Sequence, residues 1–269
     1  MPMFRALAIL AATAPLLLSI LTLESCGYFA YQVMEPSALE TAVWQSAGYA
    51  STLLPLILAF LALWAPRQFP KVGAICAAVT LALNALTLVI PYTSPCGQRS
   101  GEWLVVACHA VAVVALLRTR PGHQLPRPRA ALWSAVVLLV LGQALARRYF
   151  SDVFVGCWAD LRGSWAQTAI HLDTAGALYI WVGLAAVGAV LAAHPSAPLV
   201  GLALLVPGLF HPVAWFLSSA PHGCSSTLDL FGWPHVIAGA LALLSHARLP
   251  GRGGPGTTPE REPAQPHSS

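Results

Sequence analysis

Apolar residues run along this chain in long blocks, and the polar residues gather in the gaps between the blocks. A helix that crosses a hydrocarbon core of about 30 Å needs about 20 such residues, within a range of roughly 17 to 25. Eight stretches meet or approach that length: 6–23, 41–64, 71–91, 102–117, 130–147, 166–193, 197–218 and 230–247. The fourth and fifth are short, and the sixth is long enough to tilt or to begin as a surface helix. Pro55, Pro207 and Pro212 fall inside these blocks, where neighbouring helices or hydroxyl groups take up the freed carbonyls. The pattern predicts an all-α fold over residues 1–249, a polytopic transmembrane bundle of eight spans arranged as four hairpins. Residues 250–269 are rich in Gly and Pro and lack an apolar period, which reads as a disordered cytoplasmic tail.

The first block admits a second reading. Arg5, a long apolar run and Cys26 resemble a secretory or lipoprotein signal. The run is longer than a usual signal core, and Glu24 stands where a small residue is expected, so the block is read as an uncleaved span.

Composition agrees with a lipid-facing exterior. Hydrophobic residues make up 57% of the chain and charged residues 9%, with a mean hydropathy of +0.68, whereas a soluble domain carries roughly 25% charged residues. The net charge of +4 is modest and scattered, which argues against a nucleic-acid surface. Membrane lipid is the expected partner, together with a small-molecule or redox partner.

The position of the charges orients the bundle, because short cytoplasmic loops retain Lys and Arg. With the amino terminus inside, Arg5, Arg67, Lys71, Arg118, Arg120, Arg127, Arg129, Arg248, Arg252 and Arg261 are cytoplasmic, and Arg99, Arg147, Arg148 and Arg162 are outside. Both termini then face the cytoplasm of a plasma or inner membrane. The basic, proline-rich stretch from Arg118 to Arg129 reads as a topological anchor that contacts anionic headgroups.

Cys26, Cys96, Cys157 and Cys224 each follow an odd-numbered span, and the last three are each followed by a Trp and a His. This is a weak internal repeat of hairpins. Four thiols in an oxidising compartment are expected to form two disulfides by any of three pairings, with a thiolate metal site and free thiols as the other readings. Cys76 and Cys108 lie within spans and read as small apolar fillers. Trp44, Trp103, Trp158, Trp165, Trp215 and Trp233 map near the outer boundary as an aromatic belt. No nucleotide loop, dinucleotide fingerprint, CxxC pair or HExxH pattern occurs.

The histidines carry the candidate chemistry. His109, His171, His211 and His235 fall in the outer half of four spans, at depths of about 10 Å. Polar rings in hydrocarbon are costly and mark ion, proton or cofactor paths. The four are therefore candidate metal or haem ligands, for haem, copper, iron or zinc, with Asp173 as a ligand or as the carboxylate that orients an imidazole. The bland reading is that each ring bonds a backbone carbonyl or caps a helix. His123, His194, His246 and His267 read as incidental, and His222 as a loop residue near Cys224. The expected function is redox chemistry or cofactor handling at this site. The alternatives are a proton-coupled or small-molecule transporter, with Pro207-Gly208 and His211-Pro212 breaking span seven, and a noncatalytic assembly protein.

Overall fold

The computed structural model describes residues 2–21, 37–90, 102–149, 175–217 and 225–247. Among them the chain forms eight helices and no strand: α1 (Pro2–Leu21), α2 (Ala38–Trp64), α3 (Phe69–Val89), α4 (Glu102–Leu117), α5 (Arg127–Tyr149), α6 (Ala175–Val190), α7 (Ala197–Leu217) and α8 (Ser225–Leu244). Three described stretches, Ala38–Trp64, Phe69–Val89 and Arg127–Leu145, are long and apolar enough to cross a membrane, and shorter apolar stretches lie in the other five helices.

Local chemistry fixes several ends. Ser37 begins α2 with a capping box: its Oγ accepts from the Glu40 N–H at 3.3 Å, and the Glu40 carboxylate accepts from the Ser37 N–H at 2.7 Å. This satisfies two donors that a helix start leaves open. Pro70 starts α3 at a position where its missing N–H costs nothing. Pro55 lies inside α2, and α7 continues unbroken through Pro207 and Pro212.

Helix α3 is built with small and polar residues inward and large aliphatic residues outward. On α3, Gly73, Ala74, Ala77, Thr80, Asn84 and Thr87 are buried, a stripe at helical spacing. Ile75, Val79, Leu86 and Leu88 on the same helix are exposed. The core repeats the theme with Ala8, Ala11 and Ala12 of α1 and Ala185, Ala186 and Ala189 of α6, whose small side chains let helix axes approach closely. Helix α1 packs on α2, α4 and α6; α2 also packs on α3, α5 and α6; α5 packs on α6 and α8; and α7 packs on α8 and α6.

A buried polar pair ties α2 to α3. The Asn84 Nδ2 donates to Ser51 Oγ at 3.0 Å and to the Thr80 carbonyl at 2.8 Å, and the Ser51 hydroxyl reaches Asn84 Oδ1 at 3.4 Å. Toward the end of the same seam, Trp44 Nε1 donates to the Ile90 carbonyl at 3.2 Å.

The described connections between helices, at residues 65–68, 118–126 and 191–196, gather at one end of the bundle with the start of α1. There the Gly122 N–H donates to the Pro66 carbonyl at 3.0 Å. The Arg5 guanidinium lies against Gly122 and stacks over the Phe69 ring, 5.2 Å from its centroid. Arg67, Lys71, Arg118, Arg120, Arg127 and Arg129 belong to the same end. Glu40, the one acid whose side chain is described, is at the opposite end in the first turn of α2.

Candidate functional site

Two of the four sequence-predicted histidines have described side chains. His109 on α4 is fully buried, and its Nδ1 lies 2.8 Å from the Val105 carbonyl one turn earlier. A carbonyl can only accept, so Nδ1 carries the proton and Nε2 presents a lone pair. That Nε2 is buried and has no hydrogen-bond partner among the described residues. At 1.5 Å per residue the ring sits about 10 Å along α4 from its start at Glu102.

His235 on α8 is also buried, with 3% of its surface exposed. Its ring meets Trp181 of α6 edge to face at 5.9 Å, with 78° between the planes, an arrangement that places a ring edge on the electron-rich face of its neighbour. It lies about 15 Å along its helix, which starts five residues before the apolar block read from the sequence. The polar residues Ser225, Ser226 and Thr227 form the first turn of α8, and a hydropathy pattern starts the span only after them.

The two histidines occupy different seams. Helix α4 packs on α3 and α1, whereas α8 packs on α7 and α5. His211 lies in α7, and only its backbone is described. His171 and Asp173, the remaining members of the expected set, lie outside the described residues, as do Cys26, Cys96, Cys157 and Cys224. Among the described residues no three His, Cys, Asp or Glu side chains converge on one point. Cys76 and Cys108 are free thiols.

No family model, curated protein or solved structure matches the chain. The functional reading therefore rests on the residues themselves.

A second cluster, at the basic end, was not singled out by sequence reasoning. Trp133 of α5 is fully buried and meets the His246 ring edge to face at 6.5 Å, with 80° between the planes. Beside them Arg129 Nε donates to the Ser245 carbonyl at 3.0 Å. Burial and then the neighbouring Arg129 charge hold the His246 imidazole below the usual histidine range. Trp133 Nε1 and His246 Nε2 are both buried without a hydrogen-bond partner among the described residues. The pairing joins residues far apart in the chain, and its sequence signal is only a Trp near the start of one span and a His at the end of another.

Proposed function

We propose that this chain is a multi-pass membrane protein, with the basic end cytoplasmic, that binds a metal or haem through His109 and acts in redox chemistry or in handling that cofactor. The membrane reading is supported by the outward placement of large aliphatic residues and the inward placement of Asn84, Thr80 and Ser51, the reverse of what water selects. Eight spans in four hairpins follow if the five helices with shorter described apolar stretches also cross the bilayer. The gathering of Arg67, Lys71, Arg118, Arg120, Arg127 and Arg129 at one end supports the orientation.

The observation that carries the cofactor reading is the state of His109: buried, its Nδ1–H donated to a backbone carbonyl, and its Nε2 lone pair unpartnered among the described residues. Metal-ligating histidines commonly have this arrangement, in which the outer hydrogen bond fixes the tautomer and raises the basicity of the ligating nitrogen. A histidine that served only to satisfy the Val105 carbonyl would leave Nε2 buried at a cost of about 1–3 kcal/mol. His171 and Asp173 are the proposed further ligands; His211, on α7, which packs on α8 and α6 among the described residues, belongs with His235. His235, on another seam and packed on Trp181, is assigned a weaker part.

The test is visible absorption and metal analysis of the detergent-purified, tag-free protein and of His109→Ala and His235→Ala. A haem band or stoichiometric metal that is lost in His109→Ala supports the reading. Colourless, metal-free protein with pH-dependent uptake in vesicles would make it a transporter, and protein with neither property an assembly factor. Cysteines introduced at Pro121 and Gly253 should be labelled from the cytoplasm, and one at Gly223 only from outside. Opposite labelling of Pro121 and Gly253 would remove the topology.

A further inference from the structure

The basic end of the bundle holds a cleft of about 620 Å³ between the α2–α3 turn and the α4–α5 connection. Arg67, Lys71 and His123 line it, with Gln68, Val72 and Gly122. Arg67, Lys71 and His123 are exposed. Two features hold its walls together: the Gly122 N–H bonded to the Pro66 carbonyl at 3.0 Å, and the Arg5 guanidinium packed against Gly122. Arg5 adds positive charge immediately beyond the wall, and its Nη2 is buried without a hydrogen-bond partner among the described residues. The one acid whose side chain is described is at the opposite end, so within the described residues no carboxylate offsets this charge.

We infer that the cleft binds the phosphodiester headgroup of an anionic phospholipid from the cytoplasmic leaflet. The inference rests on the membrane reading above and is independent of the cofactor. Two cationic side chains, Arg67 of the α2–α3 turn and Lys71 in the first turn of α3, converge here with the His123 ring of the α4–α5 connection on a space of headgroup size. Arginine presents a planar fork and lysine a point charge, and both recognise phosphate oxygens. The cleft lies where the helices end, which in the proposed orientation is the level of the headgroups. Val72 on α3 lines the cleft at the foot of the helix whose outward face carries Ile75 and Val79. An acyl chain leaving a bound headgroup can therefore lie along apolar surface. A soluble phosphate would gain nothing from that continuity, and this favours the lipid as the source of the phosphate.

Each Lys or Arg near an anionic headgroup strengthens binding by roughly fivefold. Native mass spectrometry of the full-length protein in detergent, titrated with phosphatidylglycerol or phosphatidylcholine of the same acyl chains, reads the affinity directly. The expected result is preferential retention of phosphatidylglycerol, reduced roughly 25-fold in Arg67→Gln/Lys71→Gln and unchanged in Arg127→Gln, an exposed cation outside the cleft. Equal retention of the two lipids by the wild type would overturn the inference without recourse to any variant. So would retention in the double variant equal to that of the wild type, or competition by inorganic phosphate as effective as that by the lipid. Carbonate extraction of the membranes is done in parallel. Release of the chain into the soluble fraction would refute the membrane reading itself, whereas a membrane-retained chain without lipid preference would refute only the cleft.

Discussion

Gly201 and Gly239 face each other where α7 meets α8, so closely that a Cβ added to Gly239 would lie 2.8 Å from the Gly201 carbonyl oxygen. The same added carbon would meet the Leu205 side chain at 2.6 Å. A backbone oxygen cannot rotate away as a side chain can, so the two helices would have to separate. Gly239→Ala is expected to cost about 1–3 kcal/mol. Gly201→Ala, whose added carbon would meet Ala242 Cβ at 3.0 Å and the Gly239 carbonyl at 3.2 Å, should cost less. Gly142→Ala, with open space around it, should be neutral or slightly stabilising through helix propensity. Thermal unfolding in detergent should give that order.

Trp133 fills a notch at Gly188 of α6, where a Cβ would collide with its ring and stand 2.7 Å from Val200. Trp133→Ala should destabilise by about 3–5 kcal/mol, because the surrounding helices cannot collapse fully into the void. Trp133→Phe should cost less than half as much, since the indole N–H that it removes has no hydrogen-bond partner among the described residues. An equal loss in both variants would show that Nε1 matters and that the ring does not act mainly by volume.

The link between Ser51 and Asn84 is the described side-chain hydrogen bond between α2 and α3. A double-mutant cycle with Ser51→Ala and Asn84→Ala should give a coupling of roughly 0.6–2 kcal/mol, the range for polar contacts between membrane helices. Additive losses would mean that the Asn84 bond to the Thr80 carbonyl carries the contribution alone.

His246 should make stability depend on pH. Its folded pKa is depressed, so the unfolded chain binds more protons below the usual histidine value near 6.5. Stability therefore rises with pH wherever that difference exists. It should hold level above about 6.5 and fall as pH drops toward the depressed folded value. His246→Gln should flatten the slope in that window. An unchanged slope would place the titration elsewhere.

The apolar blocks were legible because long apolar runs show in composition alone, and the helix limits depart from them mainly where polar residues join a helix. Ser225 to Thr227 begin α8 for that reason. Proline at 207 and 212 left a break and a simple kink equally open, and α7 runs through both. The burial of His109 followed from the cost of an imidazole in hydrocarbon, and its Val105 bond is a contact one helical turn away. Which helices adjoin is a tertiary fact with no local signal, so neither the separate seams of His109 and His235 nor the pairing of Trp133 with His246 could be read from spacing. The four cysteines, His171 and Asp173 lie outside the described residues.

The contact of Arg5 with Gly122 sets an order of events during synthesis. Arg5 belongs to α1, which leaves the ribosome before α3 and with it the ring partner Phe69. Gly122, which closes over the guanidinium, emerges only after α4 is complete. Until then α1 has only its contacts with α2 and α4 and the Phe69 ring over its charge, and lacks both Gly122 and its contact with α6. A nascent chain arrested before residue 122 should therefore hold α1 more loosely than the finished protein does, and the α4–α5 connection acts as a latch that fastens α1 from a later part of the chain.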